Sequence, residues 1–264
     1  MDRRRLFWTC SLLAVAVPLL PACWHAGLDP HRPRPAPAPG KLMTGANLKL
    51  LATYPLAVKE PSGMSVSRDG KSLWIVSDQS ELVHQVTLEG RPIRQFHGLP
   101  DMEGVAVIDD VTVAVIGEGT RQVAQFDLKG KLLRQETLDL PGNDNSGPEG
   151  LAFDREGKRF FVVKEKAPGM LLVLDETMKE TRREELGFAL DYSDVAWEPV
   201  RKHLWILSHE SKTAFVFDED LRLLARFYTG VPQQEGLYVD YPHKRLYVVC
   251  DRTETLYVFE FADY

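Results

Sequence analysis

Apolar and polar residues alternate in short runs along most of this chain, and each run ends in a turn rich in Gly, Asp, Lys or Pro. Alternation with a period of two predicts β-strands with one face buried. Other runs are apolar on both faces, among them Leu73-Trp74-Ile75-Val76, Phe160-Phe161-Val162-Val163, Leu204-Trp205-Ile206-Leu207 and Leu246-Tyr247-Val248-Val249. Such segments predict strands covered on both sides by neighbouring sheets.

The runs recur in a fixed order. A glycine or aspartate opens a first strand, a turn follows, and a second strand ends in a polar residue. The opening position is Gly63, Gly104, Gly150, Asp194 and Gly236, in steps of 41, 46, 44 and 42 residues. The second strands end at Asp78, Glu118, Glu165, His209 and Asp251, which lie 15, 14, 15, 15 and 15 residues after those openings. A period of roughly 40–45 residues built from short strands predicts an all-β fold, a five-bladed β-propeller of four-stranded antiparallel blades. The first blade reads Gly63–Ser67, Ser72–Ser77, Leu82–Leu88 and Pro92–His97. Trp74, Phe161, Trp205 and Tyr247 share one slot in the second strands and are expected in the core, with Ala114 in the same slot of the second repeat.

The fifth repeat ends before an outermost strand appears. Leu48–Tyr54, ahead of the first opening glycine, is similar to the outer strand Leu132–Thr137. The N-terminal strand is therefore expected to complete the last blade, joining the chain ends and removing an exposed edge.

Composition changes sharply before residue 46. Arg3, Arg4 and Arg5 precede an apolar run, Leu6–Leu20, that is short for a membrane span. Leu20-Pro21-Ala22-Cys23 resembles a bacterial lipoprotein cleavage box, with Pro21 in place of the usual small residue. This predicts a lipoprotein-type signal over 1–22 and lipidation of Cys23; the alternative is an ordinary secretory signal cut nearby. Trp24 after the cysteine, by resemblance to such lipoproteins, directs the chain to the outer membrane, facing the periplasm. Residues 23–45 read as a Pro-rich extended spacer, and 46–264 as the propeller. Cys250 is the one cysteine of the body, so no internal disulfide is expected.

Removing residues 1–22 takes away Asp2 and three arginines, which moves the formal charge from −6 to −8. No basic run with interleaved aromatics occurs in the body, so nucleic acid is not an expected partner. Membrane association is expected through the lipid anchor only, and the chain is expected to be a monomer.

The excess acid collects at one place. First and second strands form a hairpin, so the start of one and the end of the other share a face of the disc. Glu103, Glu149, Ser193 and Glu235 precede their anchors, and Glu60 lies three before Gly63. Asp78, Glu118, Glu165, His209 and Asp251 end the second strands, with Glu210 beside His209. One channel mouth is thus expected to be densely acidic, and carboxylates so close need protonation, a basic neighbour or a cation. Lys164, Lys166, Arg121 and Arg252 could supply internal pairing. Oxygen donors without clustered histidine or cysteine otherwise favour Ca²⁺ over Mg²⁺. The ligands expected for it are Glu103, Glu149, Glu165, Asp194 and Glu235. A polar, water-filled mouth is the alternative. The inserted loop Pro141–Pro148 enters on this face, either as plain length variation or as a source of further ligands.

Glu60-Pro61-Ser62-Gly63, Val76-Ser77-Asp78, Pro148-Glu149-Gly150-Leu151-Ala152, Val163-Lys164-Glu165-Lys166, Leu207-Ser208-His209-Glu210-Ser211 and Glu235-Gly236-Leu237, in this order and spacing, resemble the bacterial SdiA-regulated family, related to NHL-repeat propellers. The resemblance covers roughly 46–264 and implies a five-bladed propeller with a calcium site. His209 stands where the family resemblance leads one to expect an acid, and Ser193-Asp194 where Ser-Gly is usual. Two functions follow as expectations. One is a lipid-anchored, calcium-binding module that takes an unidentified small ligand or an envelope protein. The other is a Ca²⁺-dependent hydrolase of lactones, esters or phosphoesters, with Glu149 or His209 as general base. No Gly-x-Ser-x-Gly elbow is present.

Overall fold

The computed structural model describes residues 48–142 and 146–264. The leader, the spacer, Cys23 and Asn143–Asn145 of the inserted loop lie outside the described residues. Strand β1 (Leu48–Pro55) comes first, and the first blade follows as β2 (Pro61–Val66), β3 (Ser72–Ser77), β4 (Leu82–Thr87) and β5 (Pro92–His97). The second blade is β6 (Met102–Val107), β7 (Thr112–Gly117), β8 (Gln122–Asp127) and β9 (Leu132–Thr137). The third is β10 (Pro148–Asp154), β11 (Arg159–Lys164), β12 (Gly169–Asp175) and β13 (Glu180–Leu186). The fourth is β14 (Asp194–Glu198), β15 (His203–Ser208), β16 (Thr213–Phe217) and β17 (Leu223–Tyr228). The last comprises β18 (Gln234–Asp240), β19 (Arg245–Cys250) and β20 (Thr255–Phe261), with β1 as its outermost strand. Closure is antiparallel, from Leu48 opposite Phe261 to Pro55 opposite Thr255.

Burial follows the alternation. The second strands β3 and β15 are buried at every position, and β7, β11 and β19 at all but the first. Each is sandwiched between neighbouring blades, which is why both of its faces are apolar. Trp74, Phe161, Trp205 and Tyr247 are core residues, as is Ala114. In the second blade the smaller Ala114 packs with Leu151, Phe160 and Leu172 of the third, while Phe96 packs between Trp74 and Phe126 in a separate cluster. Cys250 is fully buried, and its thiol donates to the Pro232 carbonyl at 2.8 Å.

The inner strands converge where the glycines stand. A Cβ on Gly150 would lie 2.6 Å from the Cα of Asp194, and one on Gly63 would collide with the Glu103 carbonyl oxygen. Both obstacles are backbone, so no side-chain rotation relieves them. Gly150→Ala is therefore expected to destabilise the domain by about 1–3 kcal/mol, the range for an overpacked interior. Urea unfolding measures it; an unchanged midpoint would show that the strands can separate without cost.

Candidate functional site

Four of the five hairpins carry a bulge at the start of the inner strand. Pairing jumps from Met102 to Gly104, from Pro148 to Gly150 and from Gln234 to Gly236. The residue skipped is Glu103, Glu149 and Glu235. In the first blade the jump runs from Pro61 to Met64 and frees Ser62 and Gly63. A bulge re-aims the extra residue, so this local irregularity turns each glutamate into the channel mouth. The fourth blade begins at Asp194 without one.

The resulting cavity has a volume of about 330 Å³. Glu60, Ser62 and Asp78 line it from the first blade, and Glu103 and Glu118 from the second. The third contributes Glu149, Glu165 and Lys166, the fourth Asp191, Ser193 and His209, and the fifth Glu235 and Asp251. Nine of these side chains are carboxylates, against one lysine and one histidine. Two triads stand out, Asp78 with Asp101 and Glu103, and Glu118 with Glu149 and Glu165. Within each, carboxylate oxygens lie within 4.8 Å of one another.

Two expected members sit elsewhere. Asp194 is fully buried and does not line the mouth; its Oδ2 accepts the Leu237 N–H of the neighbouring inner strand at 2.8 Å. It occupies the slot of an opening glycine, one residue after the glutamate column, so its carboxyl ties neighbouring inner strands together. Glu210 stands outside the lining residues, with its carboxylate 3.8 Å from Lys166 Nζ. Two further acids, Asp101 and Asp191, were not anticipated. They occupy the third position before the anchor, the column in which Glu60 had been noted. The Asp191 carboxylate accepts from Ser208 Oγ and the Glu210 N–H, whereas Asp101 is placed by backbone shape that composition does not reveal. Glu60 and Asp101 adopt left-handed φ of 41° and 57°, and the carbonyls of both accept the N–H of the strand-end acid, Asp78 and Glu118 respectively.

Counter-charge is sparse. Lys166 Nζ meets Glu165 at 2.5 Å, and His209 Nδ1 lies 3.2 Å from Glu235. Lys164 turns away from the carboxylates; its ammonium is buried and donates to Ser146 Oγ, to the Lys166 carbonyl at 2.5 Å and to the Pro168 carbonyl. Arg121 donates to the carbonyls of Leu140 and Gly142. From the inserted loop, the described Gly147 reaches the mouth, its N–H donating to Glu118 Oε1 at 3.1 Å.

The electrostatic consequence runs in one direction for six of the acids. Burial, and then the charge of Asp78, pushes the Glu103 carboxyl well above the usual carboxylate range. Glu149 is raised in the same way by burial and then by Glu103. Burial and Asp101 push Asp78 up to about 6. Glu118 and Asp251 are raised mainly by burial. Glu235 is also raised by burial, with His209 opposing, while the hydrogen bond to Glu235 raises His209. His209 beside Glu235, the Gly147 N–H on Glu118 and a Ser62 hydrogen bond to Glu103 favour the charged forms, and burial outweighs them. Oxygen-only triads of this spacing fit a hard cation held at about 2.3–2.6 Å from each donor.

The profile of the family described as SdiA-regulated matches residues 45–260, nearly the whole described body. The chain belongs to the SdiA-regulated family. Among solved structures it is similar to a catalytically inactive variant of virginiamycin B lyase from Staphylococcus aureus with quinupristin. The TM-score is 0.50 at 11% identity, over 76% of this chain and 66% of that one. At that identity the likeness shows the propeller fold of this SdiA-regulated protein and nothing of its chemistry.

Proposed function

We propose that this SdiA-regulated propeller is a calcium-binding module of the cell envelope, lipid-anchored through Cys23, that takes a small ligand or a protein partner at its acidic mouth. The observation that carries the calcium reading is the pair of carboxylate triads with so little positive charge beside them. Asp78, Glu103, Glu118 and Glu149 among them are costly to ionise where they stand, and a divalent cation shared with their neighbours offsets that cost. Among the expected ligands, Glu103 belongs to one triad, and Glu149 and Glu165 to the other. Glu235 faces them from beside His209.

Isothermal titration at neutral pH tests the reading. Saturable Ca²⁺ binding is expected, weakened at least about tenfold by Glu149→Gln and Glu103→Gln, equivalent to 1.4 kcal/mol or more. Absence of binding, or indifference to both substitutions, would sink it. Cys23→Ser is the matching control for the anchor, and should leave Ca²⁺ affinity unchanged while releasing the chain from membranes.

A second reading is favoured by the His209–Glu235 pair, since a carboxylate that holds an imidazole at 3.2 Å orients a general base. In that reading a bound Ca²⁺ polarises a lactone, ester or phosphoester oxygen while His209, or Glu149, activates water. Turnover of such substrates that depends on Ca²⁺ and is lost in His209→Ala would favour hydrolysis over binding alone.

A further inference from the structure

We infer that a second cavity, between the third and fourth blades on the face opposite the acidic mouth, binds a small zwitterion with a large apolar side chain, such as a free aromatic or branched amino acid. The cavity measures about 350 Å³, at the small end of ligand sites, so it suits one residue rather than a long peptide. Its floor is apolar and built from both blades, with Phe161, Leu171 and Val173 on one side and Leu204 on the other. Trp197 stacks on Phe161 with ring centroids 5.2 Å apart, and the Arg159 guanidinium lies 5.1 and 5.4 Å from the two rings.

Charge complementarity decides the class of ligand. Lys158, Arg159 and Arg182 line this cavity together with Asp175, Asp218 and Glu219. Three cations face three anions, in contrast to the acidic mouth. A ligand of net charge would meet repulsion from one half of that rim, whereas a zwitterion matches both halves. Arg182 adds an independent observation: its Nε donates to Glu184 at 2.9 Å, but its Nη2 is enclosed without a hydrogen-bond partner. An enclosed donor without an acceptor is unfavourable, and a ligand carboxylate supplies the acceptor after a small side-chain adjustment. Arg159 is anchored by the buried Asp154 carboxylate at 3.0 Å, whereas Lys158 with Glu176 and Arg159 with Glu219 are surface pairs that contribute little and exchange readily. The ammonium of the ligand is then left to Asp175 or Asp218, and its side chain to the floor beside Trp197.

Titration calorimetry with L-phenylalanine and L-leucine tests this, with phenylacetate, phenethylamine and glycine as the ligands lacking one feature each. The two amino acids should bind saturably, and each of the other three at least about tenfold more weakly. Trp197→Ala and Arg182→Gln should each weaken L-phenylalanine binding at least about tenfold, while Glu103→Gln in the mouth leaves it unchanged. Should either floor or wall variant fail to melt cooperatively, Lys158→Gln on the exposed rim replaces it, with a smaller loss expected. No saturable heat up to ~10 mM amino acid, or phenylacetate binding as tightly as L-phenylalanine, would overturn the proposal.

Discussion

A chain lacking residues 46–56 is expected to lose its cooperative unfolding transition at temperatures where the parent stays folded. Those residues contain β1, whose register with β20 runs from Leu48 opposite Phe261 to Pro55 opposite Thr255. Most of β1 is exposed, with Leu48, Ala52 and Tyr54 packed against the core and the adjoining Leu56 buried, so hydrophobic contact is the smaller part of what the deletion removes. What is lost is a ladder of backbone hydrogen bonds, each with a net value of about 1 kcal/mol, together with the Leu56 N–H to Glu254 carbonyl bond at 2.8 Å. The sum is on the order of 5 kcal/mol, against a total of about 5–15 kcal/mol for a typical domain. The deletion also bares the edge of β20 beside Val258 and Phe259, which invites pairing with other chains. Leu50→Lys is the control, because Leu50 is 52% exposed and its replacement should shift the midpoint little. Thermal melts of both variants, with a synthetic peptide of residues 46–58 added to the deletion, give the answer. Rescue by the peptide is the expected result; a deletion that melts with the parent would refute closure by β1.

The second large effect is on stability as a function of pH. Glu103, Glu149, Asp78, Glu118, Glu235 and Asp251 all have folded pKa values above their unfolded ones. Between the two values the folded state holds more protons than the unfolded state, so stability falls as pH rises. The decline begins near the unfolded carboxylate range of about 4, passes the Asp78 value of about 6 and continues through the more buried glutamates. Without cation, the melting temperature should therefore drop from pH 5 to pH 8. Ca²⁺ at about 100 times its Kd adds roughly 2.7 kcal/mol, or about 5–10 °C for a domain of this size. That increment should be present at pH 8 and vanish below about pH 4.5, where protons occupy the same oxygens. Calorimetric melts across this range, with Ca²⁺ and with chelator, check both slopes. Two superimposed curves would leave the mouth without a cation, and a rise in stability from pH 5 to 8 under chelation would contradict the electrostatics of the site.

The strands, their order and the pairing of β1 with β20 were all legible in the residues. Strand alternation is a local property, and a period of two survives any arrangement of blades. The spacing of Gly63, Gly104, Gly150 and Gly236 placed the glutamate column and the strand-end acids on one face, and the cavity gathers most of them. Asp194 was misplaced because adjacency along the chain stood in for direction in space. It follows Ser193 by one residue, yet without a bulge its side chain turns into the ring and accepts the Leu237 N–H. Asp101 and Asp191 were missed for the converse reason. In the glutamate column the identity of the residue speaks for itself; for Asp101 a left-handed backbone at the hairpin end, and for Asp191 a carboxylate held by Ser208 Oγ and the Glu210 N–H, decide the placement. Lys164 illustrates the same limit, since its sequence position beside Glu165 suggested a counter-charge and its ammonium instead bonds Ser146 and two carbonyls.

By itself, then, the sequence determined the all-β class, the number of blades, the closing strand and the face on which acid accumulates. These are consequences of periodicity and register, which act between residues close in the chain or in equivalent repeats. Tertiary structure alone decided which acids share a triad, which lysine offsets them, and that a charge-balanced apolar cavity lies between the third and fourth blades. Those facts depend on distances across blades, set by bulges and side-chain directions, and a repeat pattern carries no information about them.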